Sequence, residues 1–309
     1  MVLDMNSDAA RLVFLFGGIG DQFLWLSLLP EFRRQSRQPV VAVTNRSSSR
    51  QIADLFSGRA YDRLEVFEQP NLSGMPPTTS HFQPQRIVRA SHIFYDERER
   101  YDLIGRFSIG IADLVRLILD IAPDAPVALP NIPDQARRNA ANYMREWSLP
   151  VGRTVLLAPW ALSWRCPLPL SWWTEAVRTL NQRGFTVVSN VGNSGRCDTT
   201  KDGALLGAIP GTLPVNVSLS DIIPFTELCG YFLGMRSGLC DLIAHAQVKK
   251  LVIYPYAADI DSYLTGLPFD IACRFWSVAR AFGRPDVCEE MVNSEIPFAP
   301  SLIDSWLDK

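Results

Sequence analysis

The stretch that most limits how this chain can fold runs from Leu228 to Tyr254, where the hydrophobic period changes in mid-course. Tyr231 to Met235 is a short apolar run of strand length. Leu239, Leu242, Ile243 and Ala246 then recur at i, i+3, i+4 and i+7, the spacing of one helix face. The change falls at Arg236-Ser237-Gly238, and a second apolar run follows to Tyr254, so the stretch reads as strand, tight polar turn, short helix and strand, half of a Rossmann unit. Ser237 is the natural N-cap. A helix N-terminus carries N–H groups without helical partners and a partial positive charge, which Arg236 opposes rather than stabilises. The arginine is explained if an anion sits between guanidinium and helix, and phosphate is the natural anion for such a place. The alternative is that Arg236 is neutralised across the turn by Asp241 or swings into water.

At 309 residues there is room for two domains, each with its own core. Hydrophobic residues make up 47% and charged residues 20%, the balance of a soluble globular protein. With 30 basic against 32 acidic residues, nothing suggests a nucleic-acid partner, so any anion site must be local. The cysteines at 166, 197, 229, 240, 273 and 288 form no C-x-x-C pair and no zinc-like spacing; reduced cytosolic thiols are expected. Asp4 and Asp8 stand where a signal peptide would carry basic residues, and the apolar run after them is too short to span a bilayer. The expectation is a cytoplasmic protein. The Phe-, Leu- and Trp-rich helix after Gly20 leaves peripheral contact with the inner face of a membrane open, although a buried face is the commoner meaning of such a helix.

Taken in order, the chain opens with an apolar run, Leu12 to Phe16, then Gly17-Gly18-Ile19-Gly20 and a helix from near Asp21, as a Rossmann-like domain begins. The dinucleotide fingerprint G-x-G-x-x-G fails because Phe23 occupies its third glycine position. Pro30 should kink or end the helix. A strand over 40–44, a capped helix from Ser47, a strand over 64–67, a proline-rich mobile rim over 69–80, a strand over 87–95 and an apolar helix over 109–121 follow. Residues 1–125 thus form one domain, and 126–150 hold a proline-dense linker and a surface helix. Residues 151–309 form a second domain that starts again with a strand at 155–158. Pro159 to Leu170, with Trp160, Trp164 and Arg165, lies at the carboxyl end of that strand, where open α/β sheets bind ligands. Residues 193–214 read as an irregular surface excursion. Asp259 and Asp261 fall at the same edge after Tyr254, and two aromatic-rich segments complete the chain, the last helix being a candidate to pack back on the first domain.

Phe16 to Leu29, FGGIGDQFLWLSLL, resembles the N-terminal signature of the bacterial lipopolysaccharide heptosyltransferases, a glycine-rich turn followed by Gly-Asp and an apolar helix. The second half follows the same order: a strand ending in a proline loop with a basic residue, and later strand, Gly, two residues, Ser-Gly and helix. The resemblance implies an α/β protein of GT-B architecture, two Rossmann-like domains facing a cleft, acceptor mainly on the first and nucleotide-sugar on the second. Where the family has Asp-Ser-Gly and then a histidine, this chain has Arg236-Ser237-Gly238 and Asp241. Where the family has Lys-x-Trp-Pro, the nearest basic residue is Arg165, followed by Cys166-Pro-Leu-Pro. These departures bear on the donor sugar rather than on the fold.

Under this resemblance Asp21 would accept the proton of an acceptor hydroxyl as it attacks the anomeric carbon, giving inversion; its other reading is a helix cap. Arg165, Arg236 and the N–H groups of Ser237, Gly238 and Leu239 would hold the departing diphosphate. Trp160 and Trp164 would stack on base or sugar, or cover a core edge. Asp241 is a further donor contact, and one of Asp259 and Asp261 would bind sugar hydroxyls, the alternative for these two being solvated loop acids. No metal or other cofactor is implied. His245 reads as a satisfied packing residue, His81 and His92 are isolated, and no G-x-S-x-G elbow is present. The expectation is an inverting, metal-independent glycosyltransferase moving a sugar from a nucleotide-diphosphate donor to a hydroxyl of a bacterial surface glycan, lipid-linked precursor or protein. An NAD-dependent oxidoreductase using the turn at Gly17, Gly18 and Gly20, and a non-catalytic glycan- or nucleotide-binding subunit, are the alternatives.

Overall fold

The computed structural model describes residues 10–15, 18–44, 48–66, 87–89, 107–161, 166–191, 198–199, 205–206, 208–257 and 269–308. The chain divides into two compact units, Met1–Asn131 and Ile132–Lys309. The rim expected over 69–80 and most of the strand expected over 87–95 lie outside the described residues.

In the first unit β1 (Arg11–Leu15), α1 (Ile19–Gln35), β2 (Val40–Thr44), α2 (Ser48–Asp54), β3 (Arg63–Val66), β4 (Ile87–Arg89) and α3 (Ile111–Leu119) build a parallel sheet of order β3-β2-β1-β4. The Val-Val-Ala-Val-Thr run of β2 is buried at every position, as an inner parallel strand must be when both its faces are covered. The chain steps outward from β1 through β2 to β3 and then crosses back to β4, on the other side of β1. The carboxyl end of β1 is therefore a topological switch point.

Pro30 does not end the first helix: α1 runs through it to Gln35. A proline removes one helical N–H and pushes away the carbonyl four residues back, so the turn below it opens. There the carbonyl of Ser27 accepts the backbone N–H of Ala128 at 2.8 Å, and the Ser27 hydroxyl donates to the carbonyl of Phe23 at 2.7 Å. Phe23, Leu24, Trp25, Leu26, Leu28, Leu29 and Phe32 are all buried in this unit's core, each contributing about 1.5–3 kcal/mol if fully withdrawn from water. Among the described residues no helix is long and apolar enough to cross a membrane.

The second unit begins with α4 (Asp134–Glu146), which packs on α6 (Ile222–Cys229): the Tyr143 and Trp147 rings stack at 5.0 Å and both meet Phe225 edge-on. Its sheet contains β5 (Thr154–Ala158), β6 (Thr186–Asn190), β9 (Leu213–Val215), β10 (Gly230–Met235), β11 (Lys249–Tyr256) and β12 (Val287–Asn293), all parallel, in the order β12-β11-β10-β5-β6-β9. The remaining strands, β7 (Asp198–Thr199) and β8 (Leu205–Leu206), form a small antiparallel pair. Between the sheet strands lie α5 (Leu170–Gln182), α7 (Gly238–Leu242) with a 3-10 turn at Ile243–His245, α8 (Phe269–Phe275) and α9 (Val278–Phe282). The chain runs β5, β6, β9 to one side and then returns to β10 on the other side of β5, so a second switch point lies between the carboxyl ends of β5 and β10.

Three sequence expectations change here. The stretch at 193–214 ends in an edge strand, β9, where Pro214 is tolerated because an edge strand has one unpaired side. The aromatic-rich C-terminal region contains the opposite edge strand, β12. The last helix, α10 (Pro300–Asp308), packs within the second unit. Trp306 meets Tyr231 edge-on, Leu307 accepts Lys249 Nζ at 2.5 Å, and Asp304 pairs with Arg183.

One glycine is required by geometry. Gly230 ends α6 at φ +91°, in the left-handed region, and a Cβ there would lie 2.9 Å from the Gly152 Cα.

Candidate functional site

At the first switch point the chain leaves β1 and enters α1 through Gly18, which is extended and serves as N-cap. The Gly18 N–H donates to Asp21 Oδ2 at 2.8 Å, so the carboxylate of the third helical residue reaches back over the helix start and makes the return half of a capping box. The helix begins at Ile19, two residues before the position read from sequence. Asp21 is half-buried, Gly18 exposed and Gly20 buried; Gly17 lies outside the described residues. The Asp21 carboxylate thus combines the cap with a place at the ligand edge of the sheet. The cap is a recurrent local device, for Asp113 takes the Gly110 N–H at 2.8 Å in the same way at the start of α3.

At the second switch point two loops leave adjacent strands, Gly234 of β10 being paired with Ala158 of β5. Trp160, just beyond β5, is half-buried. Trp164 and Arg165 lie outside the described residues, as do Asp259 and Asp261 beyond β11. After β10 come Arg236 and Ser237, the latter an extended N-cap to α7, with Ser237, Gly238 and Leu239 all half-buried.

Arg236 does not project from this turn toward an anion. It is 7% exposed, and its guanidinium faces inward: Nη1 donates to Asp241 Oδ2 at 2.9 Å and to the Ser237 carbonyl at 2.7 Å, and Nε donates to the Trp276 carbonyl at 2.9 Å. Of the two fates open in the sequence, this is neutralisation across the turn. Burial is the largest influence and works against the charge, but Asp241, Tyr254 and Cys240 together outweigh it and hold the guanidinium pKa above its ordinary range. Asp241, proposed as a donor contact, is itself buried in this pair. Beneath the turn the Cys240 thiol donates to the Met235 carbonyl at 3.2 Å, and burial pushes its pKa up to about 11, so it stays protonated.

Sequence reasoning missed the groups behind the turn. Tyr254 donates to Glu289 Oε1 at 2.6 Å, and its hydroxyl lies 3.2 Å from the Trp276 carbonyl. The Ser277 hydroxyl donates to Glu289 Oε2 at 2.6 Å, and the N–H of Val278 donates to Oε1 at 2.7 Å. Burial raises the Tyr254 pKa well above its usual value, with Arg236 opposing and Glu289 adding to the rise, so it remains a phenol. Sequence spacing gave no signal for this ring, since Tyr254 and Glu289 are 35 positions apart.

His245, at the far end of the α7 turn, packs edge-on against Phe282 at 5.5 Å as expected of a core residue. It is not satisfied, however: both ring nitrogens are buried without a hydrogen-bond partner. Burial, helped by Arg284 and Lys250 and opposed by Asp286, lowers its pKa to about 4. Among the described residues no group of three or more His, Cys, Asp or Glu could hold a metal ion.

No protein-family model matches the sequence, and no curated protein matches it. Solved structures do share the fold. A glycosyl transferase family 9 protein from Veillonella parvula superposes with a TM-score of 0.57 at 9% identity, covering 93% of this chain and 86% of the other. The ADP-heptose lipopolysaccharide heptosyltransferase II of E. coli gives 0.55 at 10% identity, covering 97% of both chains. The iron-containing dodecameric glycosyltransferase TibC of enterotoxigenic E. coli gives 0.54 at 14% identity, covering 79% of this chain and 57% of its own. At these identities the likeness is one of fold: an α/β chain of two Rossmann-like units, the GT-B architecture.

Proposed function

We propose that this protein is a glycosyltransferase that moves a sugar from a nucleoside-diphosphate donor to a hydroxyl acceptor, with inversion and without a metal. The observation that carries the reading is a coincidence of position. The described turns that the sequence marked as chemical lie at the switch points of two successive Rossmann-like sheets, Gly18–Asp21 in one, Trp160 and Arg236–Leu239 in the other. The fold shared with glycosyltransferases supports sugar transfer over other chemistries of such sheets and makes ADP the first nucleotide to try.

In this reading Asp21 takes the proton of the acceptor hydroxyl as its oxygen attacks the anomeric carbon. The C–O bond to the diphosphate breaks on the opposite face, and the electron pair leaves with the phosphate oxygen. Arg165 and the N–H groups of Ser237, Gly238 and Leu239 stabilise the charge that grows there. Arg236 acts indirectly, by fixing the turn through Asp241. Trp160 and Trp164 stack on base or sugar, and one of Asp259 and Asp261 binds sugar hydroxyls. The acceptor is a surface glycan, a lipid-linked precursor or a protein, met in the cytoplasm or at the inner face of a membrane.

A second reading, a nucleotide- or glycan-binding protein without turnover, is favoured by one observation: the arginine at the diphosphate turn is already matched by Asp241. Thermal stabilisation by ADP, GDP, UDP, CDP, dTDP and NAD, followed by nucleoside diphosphate release from the matching sugar nucleotides, separates the readings. Stabilisation by one nucleoside diphosphate together with turnover supports transfer. Stabilisation with no turnover on any donor and acceptor supports the second reading, and a response to NAD alone returns the oxidoreductase alternative.

A further inference from the structure

The turn after β10 is held from behind by groups far away in sequence. Arg236 Nε meets the carbonyl of Trp276, and the Trp276 ring centroid lies 6.0 Å from the guanidinium carbon. That carbonyl is the last before the stretch that Glu289 gathers in. The Glu289 carboxylate accepts from the Tyr254 hydroxyl, the Ser277 hydroxyl and the Val278 N–H at 2.6 to 2.7 Å, and from the Ala279 N–H at 3.4 Å. Ser277 in turn caps α9 by accepting the Arg280 N–H at 3.1 Å. Four donors therefore converge on one carboxylate of the edge strand, and the peptides they fix directly follow the Trp276 carbonyl that receives Arg236.

We propose that Glu289 is a positioning residue: from β12 it sets the Trp276 carbonyl, and through that carbonyl the orientation of Arg236 and of the turn from Arg236 to Leu239. Tyr254 is the rail between the two strands, since its ring rises from β11 and its hydroxyl lies between Glu289 and Trp276. The functional consequence rests on the proposed donor role of that turn; the structural consequence does not. Glu289→Gln keeps the size of the side chain but removes the charge that strengthens all four bonds, and with its NH₂ toward Ser277 that hydroxyl must turn from donor to acceptor. The bonds around Trp276 and Ser277 weaken, and the turn loses part of its backing.

Amide hydrogen exchange of the full chain reads this directly. In Glu289→Gln the amides of Arg236 and Cys240, which bond the Ile253 and Ser237 carbonyls across the turn, should exchange at least tenfold faster, while those of Leu156 and Leu233 in the inner strands stay within twofold of wild type. Unchanged exchange at the turn overturns the proposal, and so does an equal rise across the sheet, which would be plain loss of stability. Tyr254→Phe and Ser277→Ala, each removing a single donor, should reproduce a smaller version of the same local pattern; they carry the test if Glu289→Gln fails to fold. In turnover with the donor whose nucleoside diphosphate stabilises the wild type, Glu289→Gln should raise the donor KM about tenfold and leave kcat within twofold. A wild type that binds none of the nucleoside diphosphates refutes the donor reading while the exchange result stands by itself. A wild type that binds one, with the variant's KM unchanged, overturns the link between Glu289 and the site.

Discussion

The two switch-point turns solve one local problem in opposite ways. At the first, a glycine enters the helix and a carboxylate three residues on closes the cap, Gly18 to Asp21 at 2.8 Å. The charge of Asp21 agrees with the positive end of α1, and the residue is half-buried at the ligand edge. At the second, an arginine precedes the helix against the sense of that dipole, and the fold corrects the mismatch internally with Asp241. The first turn uses a short-range bond and leaves its chemistry at the surface; the second buries its charge in a ring that reaches Glu289. If the proposed function holds, substitution in the first turn should cost activity with little structure lost, whereas substitution in the second should cost structure first.

Asp21→Asn tests the first half of that contrast. The amide oxygen still accepts the Gly18 N–H but cannot take a proton at neutral pH, so transfer should fall by about 10²–10⁴-fold while unfolding free energy changes by less than about 0.5 kcal/mol. Steady-state nucleoside diphosphate release and urea unfolding together measure it; near wild-type transfer removes Asp21 as the base. Arg236→Ala should do the reverse, lowering stability by about 3–5 kcal/mol because Asp241 is left buried without its partner. Arg236→Met with Asp241→Leu should recover much of that loss in the same denaturation experiment. If Arg236→Ala instead unfolds like wild type, the pair is not what organises the turn.

Acid pH reaches the second turn from its far end. The folded-state pKa of His245 is about 4 against an ordinary 6.5, so between these values the unfolded chain binds a proton that the folded chain refuses. Stability should therefore fall as pH drops from about 6.5 to about 4, by roughly 3 kcal/mol, and level off for this group below the folded value. Urea midpoints of wild type and His245→Phe across that range should diverge, the variant lacking this component; parallel curves would show that the imidazole is not the group refusing the proton. Ser277→Ala removes both the cap of α9 and the bond to Glu289 and should lower stability by about 2 kcal/mol, with equilibrium unfolding as the readout.

What the sequence revealed follows from where its pattern was strong. The inner strands β2, β5 and β10 are continuous apolar runs because a parallel sheet buries both faces, and they were legible at once. The edge strands of the second sheet were not. Leu-Pro-Val in β9 and Val-Cys-Glu-Glu-Met-Val-Asn in β12 carry proline and acids on partly exposed faces, and their pairing comes from neighbours distant in sequence. The period at Leu239, Leu242, Ile243 and Ala246 did mark a helical face that is largely buried, yet the backbone tightens to a 3-10 turn at Ile243. Both fates of Arg236 were visible in the spacing of Arg236 and Asp241. Choosing between them needed burial, because an exposed pair contributes little and a buried one dictates the side chain's direction.

The bond from Ala128 to the Ser27 carbonyl of α1 bears on how the chain matures as it is synthesised. The carbonyl of Ser27 is met by Ala128, the carbonyl of Leu55 by Asn131, and the carbonyl of Leu129 by the Arg59 guanidinium. These bonds tie the proline-dense stretch after 125 onto α1 and the turn after α2, made from 70 to about 100 residues earlier, as the seam that closes the first unit. A nascent chain can form α1 and the inner strands early, but that unit stays unsealed until Asn131 has cleared the ribosome. A cut at 125 would leave the seam open; a cut after 131 would keep it.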